Sequence, residues 1–319
     1  MNPDVAQEIP ELVKSGVLPP AQASMLLRVA RGELMSVHTE LRALLSLGVL
    51  LVTGGVGVLV AQNLDRIGPV AIAVGLGVAA VAALAWVALV APPFTWDEVE
   101  SPHLALDAIL LLGVLLAGAD LAYIEVQFTP LGAQWPWHLL IVALLCGVAA
   151  FRFDSRAVFA VALSTFAAWR GVSAAQFGAV FGADATAVRW NALACGALFA
   201  ALGFVLVRAR RKAHFEPVAV HLGWLLIFGA LGSGMIESEG LAWAGALLLT
   251  GAALAAGAFR VRRFSLFAFG VVAAYAGLSR IALDVLDYEE VFGCFWFSAT
   301  SILMLVGLIL AQRRLRETP

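Results

Sequence analysis

Long apolar stretches, most of them free of any charged side chain, constrain this chain more than anything else in it. Ten such stretches occur, over residues 43–61, 67–91, 104–124, 137–151, 157–172, 191–207, 218–236, 241–259, 264–283 and 291–311. A bilayer's hydrocarbon layer needs about 20 apolar residues of helix to cross it, and no water is present there to satisfy an open backbone. The expected fold is therefore all-α: a polytopic integral membrane protein of about ten transmembrane helices. Composition agrees, since 62% of the 319 residues are hydrophobic and 13% are charged. Soluble domains carry roughly 25% charged residues, so a water-facing globule is excluded.

The fourth and fifth stretches are the exceptions in length and polarity. The fourth reaches only about 22 Å at 1.5 Å per residue, and the fifth carries Arg170 near its end. The sidedness of charge is the check on both, because Lys and Arg concentrate on the cytoplasmic side of short loops. With the N-terminus inside, 16 of the 20 basic residues fall on inner segments. The outer side holds Arg66, Arg170, Arg189 and Arg280 against ten carboxylates. Deleting one central helix would destroy that sorting. The expected topology is multi-pass with both termini cytoplasmic.

Three regions follow: a cytoplasmic helical hairpin at 1–40, a transmembrane domain at 41–311 and a basic tail at 312–319. Within the first, residues 4–15 and 20–32 each read as a short helix, with Gly16 as a stop and Pro19-Pro20 as a start.

Three motifs carry a resemblance to a known family. They are Glu11-Leu-Val-Lys-Ser-Gly-Val-Leu-Pro-Pro-Ala-Gln-Ala, Ala119-Asp-Leu-Ala-Tyr-Ile-Glu-Val-Gln-Phe-Thr-Pro-Leu-Gly, and Phe151-Arg-Phe-Asp-Ser-Arg-Ala-Val running on to Ala167-Ala-Trp-Arg-Gly-Val. Together they resemble the bacterial membrane proteins called domain of unknown function 2157. Such proteins often place Asn-Trp after the first span, whereas Asn63 is followed here by Leu64. The resemblance implies a polytopic inner-membrane protein and assigns no catalytic residue.

Chemistry is then sought where lipid excludes it. Ionisable groups inside spans are expensive and mark function by default. Asp120, Arg170, Arg280 and Asp284 all fall near outer ends, and Arg280 and Asp284 share a helix face at the i, i+4 spacing. They form a candidate polar vestibule. Nothing ionisable falls at the midplane, where coupled transporters bind their ions. On the inner side, the loop at 92–103 holds no Lys or Arg but carries Asp97, Glu98 and Glu100, a candidate partner-facing loop.

His103 and His221 open the third and seventh spans without ligand spacing, and Cys146, Cys195 and Cys294 lie in separate spans as small apolar residues. No nucleotide, zinc-protease or serine-hydrolase motif occurs, so no cofactor, metal or catalytic constellation is expected. The basic run Arg208–Lys212 reads as topology and lipid attraction rather than as contact with nucleic acid. Glycines at 54, 55, 57, 75, 77, 229, 232 and 234 read as close-packing patches, with a break in the seventh helix as the alternative. The expected partners are the bilayer and other membrane or cytoplasmic proteins. The expected role is a non-enzymatic scaffold, sensor or accessory subunit; a small-solute transporter or channel with an outer-leaflet vestibule is the alternative.

Overall fold

The structure is a computed structural model describing residues 38–99, 104–175, 185–236, 240–285 and 290–317, together with Val13, Ser15, Pro19, Gln22 and Ala23. Glu100 and nearly all of the expected N-terminal hairpin lie outside these residues. Where that hairpin's second helix was expected to start, the N–H groups of Gln22 and Ala23 both donate to the Pro19 carbonyl, each at 3.0 Å.

Every apolar stretch becomes a helix, and among the described residues there is no strand. In chain order these are α1 (His38–Ile67), α2 (Pro69–Val90), α3 (Leu104–Phe128), α4 (Trp137–Phe153) and α5 (Arg156–Ala175). They are followed by α6 (Ala185–Ala209), α7 (Glu216–Met235), α8 (Leu241–Arg260), α9 (Phe264–Val285) and α10 (Glu290–Glu317). Among the described residues six helices are long and apolar enough to cross a membrane: α2, α3, α6, α7, α8 and α9. The expected count of about ten crossings goes beyond these six. The 17 residues of α4 span about 25 Å.

The helices pair into four hairpins, α2/α3, α4/α5, α6/α7 and α8/α9, each packed along its length and each leaning on the next. In α2/α3, residue 77 meets 120 while 113 meets 84, so the two helices run in opposite directions. The same holds in α6/α7, where 196 meets 223 and 203 meets 216, and in α8/α9, where 251 meets 270 and 277 meets 244. Lipid tails are as apolar as leucine, so burying leucine between helices gains little; close backbone approach and polar contacts hold such helices together.

That approach is made by glycines. A methyl group added to Gly196 would stand 2.6 Å from the Gly223 carbonyl oxygen, and one added to Gly223 would stand 2.7 Å from the Gly196 oxygen. Gly251 and Gly270 are reciprocal in the same way, each at 2.7 Å. Of the glycines singled out in the sequence, Gly77 faces Asp120 and Gly234 faces the Trp243 ring, whereas Gly54, Gly55, Gly57, Gly75, Gly229 and Gly232 meet nothing within 4 Å. Glycine content marks small surfaces, but which surface meets a partner depends on helix rotation. The seventh helix runs unbroken over Glu216–Met235.

Outward faces are apolar, as a lipid boundary requires: Leu89, Val126 and Val148 are each more than two-thirds exposed. The larger buried core runs from α2 to α7 and includes Leu110, Cys146, Phe159 and Phe199. A second, smaller core joins α7, α8 and α9 around Leu231, Leu247 and Ala273.

Candidate functional site

The four hairpin turns all lie at the end of the bundle that carries the basic loops. Tight reversals put non-glycine residues in the left-handed region, at Asp154 (φ 64), Arg210 (φ 52), Lys212 (φ 49) and Arg262 (φ 58). Asp tolerates that conformation better than most residues because its short polar side chain bonds locally.

Asp154, between α4 and α5, is the hub. Its Oδ2 accepts a hydrogen bond from the Val99 backbone N–H at 2.6 Å and faces Lys212 Nζ at 3.0 Å. Lys212, in the α6/α7 turn, is 1% exposed at its side chain and Asp154 is 6% exposed. Lys212 also donates from its backbone N–H to the Trp96 carbonyl at 2.8 Å and from Nζ to the Asp97 carbonyl at 3.4 Å. The Phe94 ring lies 5.2 Å from Nζ. His214 brings Nε2 to 2.6 Å from Asp154 Oδ1, off the line of a hydrogen bond. Beneath this knot Phe215 stacks on Phe159, with centroids 4.6 Å apart, and meets Phe151 edge-on at 5.3 Å.

Further ties join the other turns. Arg152 donates to the Pro92 carbonyl at 3.1 Å, Arg156 pairs with Glu98 at 2.7 Å, and Arg263 pairs with Glu216. The acidic loop is therefore clasped by the chain's own basic turns. Glu98 is spent on Arg156, Asp97 contributes its carbonyl while its side chain stays exposed, and Glu100 lies outside the described residues. The loop lacks Lys and Arg because its neighbours supply them. Lys212 likewise is not a lipid-facing member of the basic run. The space left beside Pro92, Arg152, Asp154 and Lys212 is about 10 Å³, about the room of one water and too small for a substrate.

The four vestibule candidates are distributed over separate helix pairs. Asp120, on α3, faces Gly77 of α2, and its Oδ1 is buried without a hydrogen-bond partner. Arg170, on α5, donates from Nη2 to Asn191 Oδ1 of α6 at 2.7 Å. Its ring neighbour is Trp169, not Asp120. Arg280 and Asp284 pair with each other at 2.8 Å along α9, as their spacing predicts.

Sequence reasoning passed over Arg189, which is buried, donates from Nε to Ser233 at 3.2 Å and lies 5.8 Å from the Trp243 ring. It also passed over the pairing of Asn191 with Arg170. An i, i+2 pair of polar residues at the start of α6 was the available signal.

Both His221 ring nitrogens are engaged, Nδ1 by the Pro217 carbonyl at 2.6 Å and Nε2 by Ser265 at 3.1 Å. Cys146 and Cys195 are buried and free. Among the described residues no three His, Cys, Asp or Glu side chains converge.

An all-helical chain with apolar outward faces, glycine-seamed hairpins and charge gathered at one set of turns is a membrane protein. Residues 10–159 match the family described as "Predicted membrane protein (DUF2157)", the family that the motifs resemble. The tail of the third motif, Ala167 to Val172, falls beyond the match. No curated protein and no solved structure matches the chain.

Proposed function

We propose that the chain is a non-enzymatic scaffold or accessory subunit of a bacterial inner-membrane complex, with ten membrane passes and both termini cytoplasmic. The observation that carries this reading is the joined inner face. Four hairpin turns are tied in series through Arg152, Asp154, Arg156, Lys212 and Glu216, which makes that face a fixed platform rather than a gate. Flux through an outer vestibule would need Asp120, Arg170, Arg280 and Asp284 to face one another. Asp120 instead faces α2, Arg170 bonds α6, and the α9 pair satisfies itself.

Topology and role are tested separately. With the native cysteines replaced, Arg210→Cys is expected to resist a membrane-impermeant maleimide in intact cells and to react after lysis, whereas Thr129→Cys reacts in intact cells. The reverse pattern overturns the orientation. For the role, a photo-crosslinking residue at the exposed Arg210 position is expected to give one discrete adduct in native membranes, heavier than the 33.5 kDa chain. A chain that stays monomeric in mild detergent and gives no adduct, while driving solute uptake into vesicles, overturns it in favour of transport.

A further inference from the structure

Helices α5, α6 and α7 enclose an open-sided groove of about 380 Å³. Ligand pockets run from about 300 to 1,000 Å³, so this one is large enough to hold a molecule. Its walls are almost wholly apolar, with Ala167, Phe199, Leu222 and Leu226 among them, and its polar groups include Asn191 and Cys195. Asn191 is bonded by Arg170, which sits at the end of α5 away from the hairpin turn.

A guanidinium offers five N–H donors in a planar fork and keeps its charge at any accessible pH. Asn191 engages part of that fork but neutralises none of the charge. Among the described residues no carboxylate pairs with Arg170, whereas Arg156, Arg263 and Arg280 each have one. An unneutralised guanidinium in a membrane helix is stable when an anion comes to it, and Arg binds phosphate oxygens bidentately.

We propose that this groove is a binding site for an anionic phospholipid. One acyl chain lies along the α5/α6/α7 walls, and the headgroup phosphate is held by Arg170, with Asn191 orienting the guanidinium. A water-soluble anion would satisfy the charge and leave the apolar groove unused, whereas a phospholipid uses both from within the bilayer. The inference goes beyond the scaffold reading and stands or falls without it.

The test is a native mass-spectrometry titration of the delipidated full chain with phosphatidylglycerol and with phosphatidylcholine of the same acyl chains. One phosphatidylglycerol adduct is expected, at least about tenfold tighter than the phosphatidylcholine adduct, the factor that one charge-assisted contact supplies. Arg170→Gln is expected to bring phosphatidylglycerol down to the phosphatidylcholine level. Ala168→Phe, which fills the groove and leaves Arg170 in place, is expected to weaken both.

Equal affinity for the two lipids in the native chain overturns the proposal, as does phosphatidylglycerol binding unchanged in both variants. Displacement of phosphatidylglycerol by excess inorganic phosphate also overturns it, because it would mark a free-anion site. If Arg170→Gln fails to elute as a single folded species, the lipid preference of the native chain and the Ala168→Phe result decide.

Discussion

Replacing Lys212 by Met is expected to destabilise the protein by about 3–5 kcal/mol, the range found when one partner of a buried ion pair is removed. The loss does not come chiefly from the attraction itself. Met fills the volume and keeps the packing against Phe94, but the Asp154 carboxylate, 6% exposed, is left without the ammonium 3.0 Å away. Val99 still donates to it, and one neutral donor does not offset the desolvation of a full charge.

Asp154→Asn is expected to cost less than Asp154→Ala. Asn keeps an oxygen for the Val99 N–H and accepts the left-handed backbone at φ 64, which Ala does not. The double variant Asp154→Asn/Lys212→Met is expected to be more stable than Lys212→Met alone, with a coupling of about 1–3 kcal/mol. Thermal unfolding followed by loss of the monodisperse peak in size-exclusion chromatography measures all four. Unchanged midpoints for Lys212→Met would show that the turns are not held by this pair. The scaffold reading would then lose its platform.

How much of this could be read from residues alone depends on the distance over which each feature is determined. A helix is determined by its own stretch, and all ten apolar stretches are helical, with α4 from Trp137 and α8 from Leu241, where the sequence placed them. The Arg280–Asp284 pair is also local, four residues apart on one face, and it forms. Lys212 is the opposite case. Its neighbours in the run, Arg208, Arg210 and Arg211, are exposed, and one position further the chain turns through a left-handed residue and buries its charge. No periodicity reports that, because Lys212's partner Asp154 lies in another hairpin. The contacts of the acidic loop are hidden from the sequence for the same reason: the basic residues that meet Glu98 and the Asp97 carbonyl come from 156 and 212.

The glycine seams form the other large expectation, because they substitute for the hydrophobic drive that lipid removes. Gly270→Ala adds one methyl group at a point where the Ala255 backbone nitrogen would lie 2.6 Å away and the Gly251 oxygen 2.7 Å away. Both are main-chain atoms of the facing helix, so no rotamer change relieves the contact, and α8 must move away from α9 along the whole seam. Overpacking of this kind costs about 1–3 kcal/mol, and Gly270→Leu is expected to exceed it.

Gly223→Ala should behave similarly, since its methyl group meets the Gly196 oxygen at 2.7 Å. The same change at Gly229 or Gly232, where nothing stands within 4 Å, is expected to be neutral or to stabilise by up to about 1 kcal/mol through helix propensity. Melting midpoints of the four alanine variants in one detergent separate the two classes. If all four fell together, the seams would not be what holds the hairpins closed, and the polar ties at the turns would have to carry the fold.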